Sequence, residues 1–150
     1  MTDLIYEAPA LAARDITRGV RRALREMGYA SVTEFQLPSG RRADILAVNA
    51  RCDIVIVEVK SSVADFRSDG KWPEYLEYCD AFYFAVGPEF PQRLIPESCG
   101  LLLADSYGAF AARAGNAARL NAARRKSLIL QWGLTAAARL HRVEDPGLAL

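Results

Sequence analysis

Apolar residues along the chain follow two periods. From about residue 11 to Met27, Leu11, Ile16, Val20, Leu24 and Met27 recur at mostly three- to five-residue steps, and Gly28 stops the run, so a helix is predicted. Three extended segments follow over 31–37, 42–48 and 54–60, joined by the Pro38-Ser39-Gly40 turn and a loop over 49–53. The third reads I-V-I-V-E-V-K, continuous and β-branched until its charges appear, which predicts a central strand covered on both faces.

Residues 61–72 are polar, and 73–79 suit a short helix with Pro73 in its first turn. A further buried strand is expected at 81–86, then a loop with at most one helical turn around Pro88, Pro91 and Pro96. Residues 100–104 and 109–113, joined by Asp105-Ser106-Tyr107-Gly108, form an expected edge hairpin. A long helix is predicted over about 119–143, with Leu120, Leu128, Trp132, Thr135 and Leu140 facing the core, and 144–150 is a tail. This succession predicts an α/β fold, a mixed central sheet flanked by helices. The length of 150 residues suits one domain.

Composition narrows the class. Hydrophobic residues at 51% and charged residues at 25% describe an ordinary globular chain. The opening MTDLIYEAPA carries Asp3 and Glu7 and does not read as a signal peptide, and no run approaches a membrane span, so no membrane association and a cytoplasmic location are expected. Cys52, Cys79 and Cys99 are odd in number and form no CxxC pair, which speaks against disulfides and zinc and for buried or partly buried thiols. One histidine, His141, leaves little material for a Ser/His/Asp triad.

The net charge of +1 conceals an uneven distribution: residues 51–100 hold 5 basic against 9 acidic side chains, and 101–150 hold 7 against 3. Arg14, Arg18, Arg21, Arg22 and Arg25 share one helical face, which serves either solvation or phosphate contact. Arg119, Arg124, Arg125 and Lys126 cluster where the last helix opens, against the preference of a helix N-terminus for acids. Either a phosphate contact or a solvated face accounts for them.

The candidate chemistry lies where the third strand breaks its apolar pattern. Glu58 and Lys60 are two residues apart and project from one face of a strand. If the loop over 49–53 is symmetric about Arg51, Asp44 falls directly opposite Glu58 with Cβ atoms ~5 Å apart, and Arg42 falls opposite Lys60. A slip of one residue would place Asp44 and Glu58 on opposite faces. Neighbouring carboxylates repel unless a proton or cation lies between them. A hard cation, Mg²⁺ or Mn²⁺, suits Asp44, Glu58 and a backbone carbonyl such as that of Val59. Lys60 would then orient or deprotonate a water, or neutralise charge on a phosphoryl group. A salt-bridge cluster of Asp, Glu and Lys at a strand end is the alternative.

The run SGRRADILAVNARCDIVIVEVKSSVADFRSDGKWPEYLEYCDAFYFAV, residues 39–86, carries R-x-D at Arg42 and Asp44, E-V-K at Glu58, Val59 and Lys60, D-F-x-x-D-x-K-W from Asp65 to Trp72, and C-D-x-F-Y-F-A-V from Cys79. In these motifs the chain resembles the MmcB-like family of bacterial DNA repair proteins, small members of the PD-(D/E)XK nuclease superfamily. The resemblance implies a restriction-endonuclease-like core and metal and catalytic roles for Asp44, Glu58 and Lys60. It also implies DNA as partner, with a homodimer and other DNA repair proteins as expected associates.

Many superfamily members place a glutamate of the first helix near the metal; here Glu26 is the acid in the second half of that helix, and Glu34 on the first strand is the substitute. Asp65 and Asp69 are further accessory acids, with Asp65 read as capping a turn and Trp72 and Tyr75 as packing under the sheet. Arg42, Arg67, Lys71, Arg124, Arg125 and Lys126 are the expected DNA contacts. The function expected is a metal-dependent DNA endonuclease or nickase in repair; the alternative is a non-catalytic DNA-binding or scaffold module on the same fold. Hydrolysis of a small nucleotide is disfavoured by the lack of a GxxxxGK[ST] loop.

Overall fold

In the computed structural model, which describes residues 11–115 and 118–147, the six strands lie side by side in chain order. They are β1 (Tyr29–Gln36), β2 (Arg42–Asn49), β3 (Ile54–Val59), β4 (Ala81–Val86), β5 (Gly100–Ala104) and β6 (Ala109–Arg113). The pairs β1–β2, β2–β3 and β5–β6 are antiparallel, whereas β3–β4 and β4–β5 are parallel, so the sheet is mixed as expected. Parallel neighbours need crossovers. The first holds α2 (Val63–Ser68) and a 3-10 helix (Trp72–Tyr78), the second a 3-10 turn (Gln92–Leu94). Helix α1 (Ala13–Glu26) precedes the sheet and α3 (Ala122–Glu144) follows it.

Alternation along the strands sorts the core onto two faces. Ile45, Ala47, Val55 and Val57 pack with Ile16, Val20 and Leu24 of α1. Leu46, Val48, Ile54, Ile56, Phe82 and Phe84 pack on the other face with Tyr75, Tyr78 and Leu128. All six residues of β3 are buried, as its unbroken apolar run predicts. Trp72 and Tyr75 both stack on Phe82, the structural role expected of them. Gly19 lets α1 come close to the β5–β6 turn: a Cβ there would lie 1.7 Å from the Asp105 carbonyl oxygen.

Three expectations are corrected. Leu140 is 57% exposed, because twelve residues beyond the buried Leu128 a helix has turned by roughly 120° off the core-facing line. Arg119 precedes α3, which Asn121 caps by accepting the Arg124 N–H at 2.9 Å. Cys52 is exposed, in a left-handed backbone conformation (φ 65°) on the turn before β3, whereas Cys79 and Cys99 are buried. No helix among the described residues is long and apolar enough to cross a membrane. The opening ten residues and the last three of the tail lie outside the described residues.

Candidate functional site

The β2–β3 ladder runs from Val48 opposite Ile54 to Ile45 opposite Val57 and stops there. That register is the one loop symmetry predicts, and it brings Asp44 and Glu58 together. Side chains take over where the ladder ends. The Asp44 N–H donates to Glu58 Oε1 at 2.9 Å, and the Val59 N–H donates to Asp44 Oδ2 at 2.8 Å. Each carboxylate thus replaces a ladder acceptor on the opposite strand, which fixes both rotamers and engages one oxygen of each.

Both acids line a cleft of about 490 Å³ together with Ala13, Arg14, Thr17, Thr33, Glu34, Val59, Lys60 and Asp65. Burial pushes the Glu58 carboxyl up to about 8, and the neighbouring Asp44 charge adds to the rise. Asp44 is raised by the same desolvation and by Glu34, against the lowering effect of the Val59 hydrogen bond. Two close, poorly solvated carboxylates are a site that a cation or a proton must complete.

Lys60 follows β3, and its N–H donates to the Ala85 carbonyl at 2.9 Å, which continues the β3–β4 pairing by one residue. Its side chain is 7% exposed, with Nζ 2.9 Å from Asp69 Oδ2 and 3.9 Å from Asp65 Oδ1. Burial would lower the ammonium's pKa, but the hydrogen bond and charge of Asp69, with Asp65 and Glu58, raise it above the ordinary lysine value. Lys60 is therefore held as a cation. Asp69 in turn accepts the Lys71 N–H at 3.1 Å and lies below the usual carboxylate range despite burial. Ser62 caps α2, its Oγ accepting the Asp65 N–H at 3.0 Å, and Asp65, expected to cap a turn, reaches back with Oδ2 to accept the Ser61 N–H at 3.3 Å.

Of the accessory acids, Glu34 reaches the cleft and Glu26 does not: Glu26 is the exposed last residue of α1. Glu34 adopts a left-handed conformation (φ 49°) and interrupts the β1–β2 ladder between Thr33 and Phe35. The guanidinium of Arg139 on α3 donates to the carbonyls of Thr33 and Glu34 on either side of that peptide, the latter at 2.8 Å. What α1 supplies to the cleft is Ala13, Arg14 and Thr17, with no acid among them. None was singled out for the metal centre from sequence, because the helical stripe gives no indication of which end of α1 lies over the β2–β3 hairpin.

The expected DNA contacts divide. Arg67, Lys71 and Lys126 are exposed. Arg42 pairs with Glu34 at 3.2 Å. Arg124 lies over the Tyr78 ring, 5.0 Å from its centroid, and donates to the Glu77 carbonyl at 3.1 Å. Arg125 is a structural residue. It clamps Asp80 through both terminal nitrogens, Nη2 at 2.7 Å, and also donates to the Cys52 and Leu120 carbonyls.

The donor chemistry of the cleft fits a hard divalent cation. Among the described residues no group of three or more His, Cys, Asp or Glu side chains is arranged to hold a metal. Asp44, Glu58 and a backbone carbonyl make a sparse, all-oxygen set of the kind that magnesium supplements with water.

The model of the DNA repair protein MmcB-like family matches residues 7–147. Among solved structures the chain is similar to the SPO1766 protein of unknown function from Silicibacter pomeroyi, with a TM-score of 0.89 and 40% sequence identity over 97% of this chain and 99% of that one. No curated protein matches it. With the family's model spanning both the sheet and the cleft, the chain belongs to the MmcB-like family of DNA repair proteins.

Proposed function

We propose that the protein is a metal-dependent DNA endonuclease or nickase acting in DNA repair. The observation that carries this reading is the reciprocal bonding of Asp44 and Glu58 across the end of the β2–β3 ladder, which sets two desolvated carboxylates and the Lys60 cation around one cleft. The arrangement suits the PD-(D/E)XK class.

Asp44, Glu58 and the Val59 carbonyl would hold Mg²⁺ or Mn²⁺, which when bound lowers the pKa of a water and offsets charge on a phosphoryl oxygen. Lys60, kept protonated by Asp69, is suited to neutralising the developing charge of the phosphoryl group rather than to accepting a proton. Asp69 acts on the reaction through Lys60, by fixing where its ammonium sits. Hydrolysis joins the water oxygen to phosphorus as the bond to the leaving sugar oxygen breaks, with the water's proton released to solvent and the sugar oxygen taking one up from it.

A second reading, a non-catalytic DNA-binding module on the same fold, is favoured by one observation: α1 contributes Arg14 and Thr17 to the cleft where a further acid would be expected. Cleavage of labelled linear, nicked and branched DNA with Mg²⁺ or Mn²⁺ separates the two. Wild type should cut at least one substrate, and Lys60→Ala should lose about 100-fold or more in rate, as for removal of one transition-state donor. Unchanged cutting by Lys60→Ala would sink the assigned site. No cutting of any substrate, with salt-sensitive DNA binding intact, would establish the second reading.

A further inference from the structure

Beside the cleft runs a groove of about 620 Å³ lined by Arg14, Thr17, Arg18, Arg21, Arg22 and Arg25 of α1 with Tyr29, Ala30 and Ser31 of β1. Arg14 and Thr17 belong to the walls of both, so groove and cleft adjoin. We propose that this groove is the track along which the backbone of duplex DNA reaches the Asp44–Glu58 centre. The choice of DNA as ligand rests on the function proposed above; the groove's role as an anion track rests on its own geometry.

Three features distinguish it from a solvated helix face. First, charge compensation is missing: among the described residues none of these five arginines forms an ion pair, whereas Arg41, Arg42, Arg51, Arg119, Arg124 and Arg125 all do. Five clustered cations with no ion-pair partner among the described residues repel one another, and phosphate is a ligand that would relieve them. Second, every one is arginine, whose planar fork matches phosphate oxygens in a way a lysine ammonium does not. Third, the groove is partly pre-organised. Arg21 donates from Nε to Ser31 Oγ at 2.9 Å and from Nη2 to the Ser31 carbonyl at 3.1 Å, which pins one guanidinium against β1.

The dimensions suit a nucleic-acid backbone. From Arg14 to Arg25 the helix rises roughly 16 Å, enough to follow several successive phosphates of one strand. Duplex rather than single-stranded DNA is indicated by the lining: Tyr29 is its one aromatic residue, whereas single-strand tracks rely on repeated aromatic platforms for base stacking.

The test is fluorescence anisotropy of a labelled duplex, in EDTA so that no cutting intervenes, across a series of NaCl concentrations. It compares wild type, the triple variant Arg18→Gln, Arg22→Gln, Arg25→Gln, the same three positions as Lys, and a control pair Arg67→Gln, Lys71→Gln. The Gln triple should bind about 30-fold or more weakly at low salt, with the slope of log affinity against log salt shallower by roughly 2 to 3. The Lys triple should keep the wild-type slope with part of the affinity lost, and the control should lose less than the Gln triple. Glutamine is a good helix former, and a thermal melt within a few degrees of wild type confirms that the fold is kept.

Duplex binding by the Gln triple with wild-type affinity and slope would overturn the proposal. So would tighter binding of a single strand than of the duplex, or a wild type that binds no DNA. If groove variants lose binding while wild type fails to cut under any metal, the track stands and the nuclease reading alone falls.

Discussion

Two basic clusters in this chain look equivalent in sequence and are opposite in the structure. Arg124 and Arg125 at the start of α3, with the preceding Arg119, each find a carboxylate, in Glu77, Asp80 and Asp53 respectively. The five arginines of α1 find none among the described residues and instead line a groove whose Arg14 also borders the candidate centre. The first cluster is largely spent on the fold. Asp80 shows why: besides its bonds from Arg125 it accepts the Ile54 N–H at 2.8 Å and the Leu120 N–H at 3.0 Å, and so ties the start of β3 to the approach to α3. A cation so engaged has few donors left for phosphate. Counting charges along a sequence cannot separate the two cases, because the partners lie more than forty residues away.

Removing Arg125 should break this contrast most strongly. Arg125→Ala leaves Asp80 as a half-buried charge without its cation and should cost about 2 to 3 kcal/mol, a fall in melting temperature of roughly 8 °C, with little change in DNA affinity per folded molecule. Loss of DNA affinity without loss of stability would reverse the assignment of the two clusters.

The next effect separates the scaffold's carboxylate from those of the cleft. Glu58 sits at about 8 in the folded protein against an ordinary 4.5, so its favourable contribution is complete below pH 4.5 and is lost as pH rises through 8. Glu58→Gln should therefore raise the stability of the metal-free protein above pH 8, by about 2 kcal/mol in denaturant titrations, and, on the proposed metal site, should abolish the stabilisation expected of Mn²⁺ in wild type. An unchanged Mn²⁺ response would remove Glu58 from the metal site.

Asp80 has the opposite slope. Burial acts to raise it, but Arg125 and two backbone N–H groups hold it down at about 2 against an ordinary 3.8. Its contribution is complete above pH 3.8 and is lost as pH falls through 2, about 1 kcal/mol after allowance for partial solvent access. Acid denaturation of Asp80→Asn should lack this step between pH 4 and 2. The smallest change is expected on α1, where Arg22→Gln should move stability by less than about 0.5 kcal/mol in the same melts.

Much of the fold was legible because periodicity reports burial directly. The unbroken I-V-I-V of β3 identifies a strand with two covered faces, and a short loop between two strands fixes their register within one residue. That register alone brings Asp44 to Glu58. Leu140 shows the limit: a helix stripe extended over twelve residues drifts out of phase. Glu26 shows another, since periodicity places it on α1 but does not say which turn of the helix overhangs the cleft. Arg139, which holds the left-handed peptide of Glu34 from more than a hundred residues away, carries no local sequence signal at all.

By itself, then, the sequence determined the order of the six strands and of the two long helices and the meeting of Asp44 with Glu58, because these follow from local pattern and one short loop. The short α2, by contrast, lies in a stretch whose polar residues carry no clear period. Only the tertiary structure decided which charges are free. It gave Lys60 to Asp69 and Arg125 to Asp80, left the α1 arginines unpaired among the described residues, and set their groove against the cleft. Ion pairing depends on distances between remote segments, and those distances exist only once the sheet has brought the segments together.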